Sequence, residues 1–302
     1  MTTKLEEAHR RIFRGVHADH AGCDEWLTES CRLPNGELAD RPIVWSRRNG
    51  PWRQVDVLWV GAAPGNAGGR GRGSLGAHGT RIPFGGDIAG ANLEVLFGSI
   101  GITRNDTFII AALNQLPLKG GGEPTPAEIQ APVGRFANSI ELLRATILAS
   151  GPRLIICLGN VAVRVTSSAV SSLRPRMPSL TMIERADWMR GTVVSVTQLP
   201  SYDLRGEWKR TWPDAPEPSA LWTLHPSAQN MSPFAGTDTL FHQRMLEARD
   251  HVRRAYRKVL GRSVPAKRPP IPDTGIYALP EWRERISERA AEMDRLWREK
   301  GV

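Results

Sequence analysis

The chain has 302 residues, of which 40% are hydrophobic, and its formal net charge at pH 7 is +9. This length is sufficient for one large α/β domain with appendages, and the excess of 40 Lys and Arg over 31 Asp and Glu favours nucleic acid or another polyanion as partner. No apolar run approaches the roughly 20 residues that a membrane-spanning helix needs, and the charged start is unlike a signal peptide. We therefore expect a cytoplasmic protein without membrane contact.

The N-terminal segment, residues 1–50, is predicted to be a helical extension. His17, His20, Cys23 and Cys31 make a metal site conceivable there, but polar residues on the outside of a helix are the favoured interpretation because no known zinc spacing is reproduced. Cys157 lies in the apolar run LIICLG and is expected to be a buried free thiol. The sequence therefore predicts neither a disulfide framework nor a metal.

Five short β-branched runs, bounded by Gly, Pro or polar residues, predict strands. They are residues 55–60, 107–113, 153–159, 192–197 and 220–225. Between them, residues 89–101 and 124–151 have helical patterns; in the second, Thr125 suits the N-cap and Gly151 the end. The alternation predicts a three-layer α/β/α fold with a mostly parallel central sheet of four to five strands.

Several polar or glycine-rich segments directly follow predicted strands. They are the Gly/Arg-rich loop after residue 60, Asn114, Gly159 and His225. Ligands of parallel sheets bind outside the carboxyl ends of the strands, so these segments are expected at one edge of the molecule.

The C-terminal part differs in character. A helix is predicted over residues 239–260, followed by a proline-rich linker and a charged helix from about Pro280. The predicted α/β domain is thus 51–262, and 263–302 is the linker with a helix that packs on or near it. Between Arg253 and Arg268, seven basic residues and no acidic one form either a phosphate-contacting face or a solvated helix end.

Three common anion-binding or nucleophile motifs are missing: G-x-G-x-x-G opening into a helix, G-K-[ST] closing a phosphate loop, and G-x-S-x-G on a strand-to-helix turn. Instead GAAPG, residues 61–65, follows the first predicted strand, and HPSAQN, residues 225–230, follows the last. In this order and on these strand ends, the pair resembles the motifs of the uracil-DNA glycosylase superfamily.

The finer resemblance is to its fifth, type-B family, carried by PFGGDIAG at 83–90 and by Gln229 and Asn230 after the histidine segment. PTPAEI before the long helix and LGNVA after the third strand also match, so that the resemblance spans residues 55–236. It implies a monofunctional repair enzyme, a monomer, that flips uracil out of double-stranded DNA and hydrolyses its N-glycosidic bond. An abasic site remains in the DNA.

The sequence departs from this pattern in three places. Ala62 and Ala63 stand where related families place a carboxylate or amide that handles water. Type-B enzymes also resemble the fourth family in carrying four cysteines on an iron-sulfur cluster; with three cysteines, no cluster and no other cofactor is expected here. The segment between Pro64 and Phe84 is longer than in the type-B pattern.

The resemblance implies a base pocket formed by Ala63, Gly65, Phe84 and Asn114. Phe84 can lie flat under a pyrimidine, although it could equally anchor its loop to the core. The Asn114 amide can donate to and accept from the amide edge of uracil, although strand-end asparagines more commonly bond their own backbone.

Two residues are expected to carry the chemistry. His225, which Pro226 would hold in an extended and exposed geometry, can donate to uracil O2 as negative charge builds there. Asp87 is the sole carboxylate between Arg70 and Asn92, and it can position water and stabilise the oxocarbenium-like sugar; its alternative role is an N-cap for the following helix.

The DNA backbone is expected to meet a further set of residues around the flipped nucleotide: Arg70, Arg72, Arg81, Ser227, Gln229 and Asn230. The alternative for the loop is a mobile surface segment without a fixed role. Two other functions stay open. A DNA-binding protein of this fold with weak or no catalysis would explain the two alanines, and a small-molecule hydrolase would have little need of the basic C-terminal run.

Overall fold

The computed structural model describes residues 43–45, 55–63, 84, 88–115, 123–132, 137–171, 188–199, 201–227, 238–265, 268–271 and 280–299. Within these ranges the chain forms six strands and seven α-helices. In order they are β1 (Ile43–Trp45), β2 (Val57–Gly61), α1 (Ile88–Ser99), β3 (Phe108–Gln115), α2 (Pro126–Gln130), α3 (Ser139–Ser150), β4 (Leu154–Leu158), α4 (Asn160–Ala169), β5 (Val193–Ser195), α5 (Arg205–Thr211), β6 (Ser219–Thr223), α6 (Asp238–Leu260) and α7 (Pro280–Glu299).

The six strands form one sheet in the order β1-β3-β2-β4-β6-β5. The four inner strands are parallel, and the short β1 and β5 pair antiparallel with them at the two edges. All five predicted strands are present and the mostly parallel sheet is confirmed. The additional strand β1 lies within the segment 1–50 that was predicted to be helical, and the rest of that segment lies outside the described residues.

Both faces of the sheet are covered, which explains why its inner strands are continuously apolar. Leu58 and Val60 of β2 face a core shared with α3, α4 and α5, whereas Val57 and Trp59 face a core shared with α1, α6 and α7. These are the three predicted layers. None of the helices in the described ranges is long and apolar enough to cross a bilayer.

The single helix predicted over residues 124–151 is wrong, because the segment forms two helices, α2 and α3. Thr125 caps α2 as predicted, in a reciprocal pair with Glu128, and Gly151 ends α3 in the left-handed conformation at φ 53°. The helix breaks at Ala131, which is extended at ψ 145°. Pro132 is the cause, since a proline disfavours the helical conformation of the residue before it.

Candidate active site

The carboxyl ends of the inner strands meet at one edge of the sheet, where the polar segments were expected. Leu113 of β3 donates its N–H to the Ala62 carbonyl at 2.9 Å, which places Asn114 beside the first residues of the GAAPG motif. Gly159, directly after β4, donates to the Thr223 carbonyl of β6 at 2.9 Å, two residues before His225. The two glycosylase-like motifs therefore begin at the carboxyl ends of β2 and β6, two strands that are separated by β4 alone.

Phe84 contacts the end of β2 through its ring. A Cβ atom at Gly61 would lie 2.7 Å from two carbons of that ring, so only glycine permits this approach. The ring is half-buried, and its centroid lies 5.6 Å from that of the His225 imidazole, with 39° between the two planes. One face of the candidate pocket thus combines an aromatic ring and a histidine.

Phe84 has a backbone φ of 56°, in the left-handed region that non-glycine residues rarely adopt. A buried ion pair holds this conformation. Arg104, whose exposed fraction is 1%, donates from Nε to Glu94 at 2.8 Å and from a terminal nitrogen to the Phe84 carbonyl at 3.2 Å. Because left-handed backbone costs about 1–3 kcal/mol, this hydrogen bond selects a conformation that the chain would otherwise leave.

His225 is half-buried and not exposed as its sequence context suggested. Its Nδ1 accepts a hydrogen bond from the Ser227 N–H at 3.2 Å, so the neutral ring must carry its proton on Nε2. Burial lowers the pKa of His225 from 6.5 to about 4. At neutral pH this histidine is an uncharged hydrogen-bond donor through Nε2.

The turn between β4 and α4 packs directly against His225. Gly159 has a φ of 85°, and a Cβ atom there would lie 3.2 Å from the His225 Cβ. Helix α4 begins at the next residue, so its N-terminal end, which favours negative charge, lies beside the histidine. This end of the helix and the Nε2–H are both suited to a developing anion.

The other predicted site residues stand as follows. Ala63 and Ser227, each the third residue of its motif, are half-buried, and Asn114 lies in β3 with its side chain outside the described part. Those outside the described residues altogether are Gly65, Arg70, Arg72, Arg81, Asp87, Gln229 and Asn230. Their roles stay predictions.

Sequence reasoning missed Asn92, Glu94 and Arg104, the polar side chains that support the site. A signal was present: α1 is buried along its whole middle, yet it contains Asn92 and Glu94 among apolar residues. Buried polar groups need partners. The pattern could have indicated that α1 forms hydrogen bonds to polar groups elsewhere in the chain, but it could not identify those groups.

Comparison with known proteins agrees with this geometry. Residues 48–249, about two-thirds of the chain, match the profile of the Uracil DNA glycosylase superfamily, and the chain therefore belongs to that superfamily. This confirms the superfamily that the two motifs indicated, and it implies a DNA glycosylase in general. No significant match was found among curated proteins.

Proposed function

We propose that this member of the uracil DNA glycosylase superfamily is a repair enzyme that flips uracil out of double-stranded DNA and hydrolyses its N-glycosidic bond. The observation that carries the proposal is the neutral, half-buried His225, with its proton on Nε2, beside the ring of Phe84. A flat base needs a stacking partner, and a departing uracil anion needs a donor that does not have to be charged first.

The base is held by stacking and by its amide edge. Phe84 supplies the ring, which Gly61 allows to approach the strand end. Asn114, at the end of β3, would read the uracil O4 and N3–H with its amide, and Ala63 and Gly65 would close the pocket with backbone. Cytosine offers the opposite donor and acceptor pattern at this edge, so the same amide orientation would reject it.

The leaving group departs as an anion whose charge rests largely on O2. His225 would donate to that oxygen through Nε2, and the N-terminal end of α4 adds a favourable potential. A pKa of about 4 keeps the ring neutral at physiological pH. The N–H of a neutral imidazole donates a hydrogen bond but is too weak an acid to release its proton, so it would stabilise the anion without protonating it.

The sugar is left as an oxocarbenium-like cation, which water attacks at C1′ with loss of a proton. Ala62 and Ala63 cannot accept that proton. Asp87, in the residue position before α1 begins, is proposed to orient the water and stabilise the cation. The proton that the water loses ends on the departed uracil anion, which balances the hydrolysis. The surrounding phosphates would be bound by Arg70, Arg72, Arg81, Ser227, Gln229 and Asn230.

We further propose that the chain is a divergent type-B member that works without an iron-sulfur cluster. It has three cysteines where a cluster takes four, and Cys157 is fully buried in β4. Burial raises the pKa of its thiol to about 12, which disfavours the thiolate that ligates iron. Iron analysis of the purified protein tests this: bound iron in stoichiometric amount would contradict it.

Base release from a set of duplexes tests the function. The set carries uracil opposite G or A, hypoxanthine, and thymine opposite G, with enzyme in excess over DNA. Release of uracil with little release of the others supports the proposal. Tight binding to the uracil duplexes without any release would favour a DNA-binding protein that has lost catalysis, for which the two alanines argue.

A further inference from the structure

The C-terminal helix α7 lies outside the part of the chain that matches the superfamily, yet a chain of hydrogen bonds links it to the active site. The Pro226 carbonyl, directly after His225, accepts from Asn92 Nδ2 at 2.7 Å. Asn92 in turn accepts at Oδ1 from Arg289 Nε at 3.0 Å. Hydrogen bonds thereby connect the segment after β6 to α1, and α1 to α7.

The orientation of the Asn92 amide follows from its partners. A carbonyl can only accept and a guanidinium can only donate, so Nδ2 must face Pro226 and Oδ1 must face Arg289. Asn92 is fully buried, which means that either bond, once lost, would leave a polar group without water. The two bonds therefore reinforce each other.

Arg289 is itself held from two sides. Its guanidinium lies 4.5 Å from the centroid of the Phe241 ring on α6 and forms an ion pair with Glu292 on its own helix. Glu292 also contacts His242 Nε2 at 3.3 Å. Burial alone would raise the pKa of Glu292, but the hydrogen bonds from Arg289 and His242 outweigh it and lower the pKa, so that the carboxylate stays charged.

Helix α7 is a fixed part of the domain. Ala290, Met293 and Trp297 are buried in the core shared with α1 and α6. The Arg249 guanidinium lies 4.4 Å from the Trp297 ring centroid, and Arg268 donates to Asp294 at 3.1 Å. Because α7 is packed in this way, Arg289 has a defined position from which to donate to Asn92.

We propose that Asn92 and Arg289 are positioning residues for His225, so that α7 completes the active site. This rests on the proposed function of His225. The Pro226 carbonyl belongs to the same planar peptide unit as the Ser227 N–H, which donates to His225 Nδ1 at 3.2 Å. Fixing that carbonyl fixes the turn, and hence the place of Nε2 relative to the base. A displacement of about 1 Å can lower a rate on the order of 100-fold.

The variants Asn92→Leu, Asn92→Asp, Arg289→Met and Arg289→Lys test this, with Arg295→Met as the matched control. Arg295 lies on the same helix but is exposed, in an ion pair with Glu299.

We expect Asn92→Leu to lower the single-turnover rate by about 10- to 100-fold at saturating DNA, while the dissociation constant for DNA stays unchanged. Asn92→Asp should lose as much, since it keeps the acceptor for Arg289 but not the donor to Pro226. The single-turnover rate should fall less in Arg289→Met and still less in Arg289→Lys, and it should not change in Arg295→Met.

Two further readouts separate positioning from general damage. In a His225→Ala background, Asn92→Leu should cause no further loss, because a residue that acts through His225 has nothing left to position. The ring nitrogen NMR signals of His225, recorded without DNA, should shift in Asn92→Leu and Arg289→Met but not in Arg295→Met. If Asn92→Leu fails to fold, Arg289→Met carries both measurements.

Unchanged rates and unchanged His225 signals would overturn the inference, as would a full loss that persists in the His225→Ala background. If the unmodified protein releases no uracil, the proposed function fails and the NMR signals alone decide the inference. Shifted signals would then still establish the link from α7 to His225.

Discussion

Among the described residues of the site, Phe84 is a non-glycine residue with a positive φ, 56°. The residues that hold this conformation are separable from those that do the chemistry. Arg104 bonds its carbonyl, and Glu94 neutralises Arg104. Removing one member of a buried ion pair costs about 3–5 kcal/mol, whereas replacing both with apolar residues of similar volume is often neutral. We therefore expect that removing both partners together destabilises the fold far less than removing Arg104 alone.

The double variant Arg104→Met with Glu94→Leu should melt within a few degrees of the unmodified protein yet excise uracil about 10-fold more slowly, because Phe84 loses its anchor. Thermal unfolding and single-turnover excision measure the two effects. Arg104→Met alone should be far less stable than the double variant. A double variant with full activity would show that Phe84 needs no support from Arg104.

The protonation of His225 makes the stability of the folded protein depend on pH. Its pKa in the folded protein is about 4, below the 6.5 of the unfolded chain. The unfolded state therefore binds the proton first, so this group's contribution to stability is fully present above pH 6.5 and is lost as the pH falls towards about 4.

The same pKa predicts how excision varies with pH. The neutral donor persists throughout the neutral range, so a plot of single-turnover rate against pH should show no break near 6.5 that belongs to His225. Histidine ring NMR would assign any break that appears. Titration of His225 itself near 6.5 would contradict the buried neutral donor.

At the scale of elements, the turn from β4 into α4 packs against His225, so a change in this turn should affect both stability and excision. Gly159→Ala would place a methyl group 3.2 Å from the His225 Cβ, in a backbone region that glycine alone adopts comfortably. Gly261 offers the control, because its φ is 65° and a Cβ atom added there would meet nothing within 4 Å.

Both alanine variants should lose stability, by about 1–3 kcal/mol, because both force a left-handed backbone. Only Gly159→Ala should also lower the excision rate at saturating DNA. Denaturant unfolding and single-turnover kinetics on the two variants test this. Equal excision rates in the two would mean that the turn does not set the position of His225.

The elements could be predicted from sequence where the pattern is local. The five main strands, α6 and the start of α7 follow from apolar runs and from Gly and Pro at their ends. The helix predicted over residues 124–151 is wrong because it runs through Pro132, which ends α2. The supports of the site could not be predicted, because Asn92 and Arg289 are 197 positions apart in sequence. A polar residue in an apolar helix shows that it needs a partner, and only the tertiary packing shows which one.

For the whole molecule, the positive charge favours DNA, and the Gly/Arg-rich loop is the proposed contact. Replacing Arg70 and Arg72 with alanine should weaken duplex binding regardless of sequence and lower the slope of log K against log salt by about one per lost contact. Excision at saturating DNA should change far less. An unaltered slope would exclude the loop as a phosphate contact and favour the basic run from Arg253 to Arg268.

The central claim is that a neutral His225 stabilises the departing uracil. Single-turnover release of uracil from a duplex, compared between the unmodified protein and His225→Ala, tests it most directly. We predict that the variant binds the duplex normally and releases uracil about 100-fold more slowly or worse, the range for a lost oxyanion donor. Equal rates in the two proteins would contradict this claim.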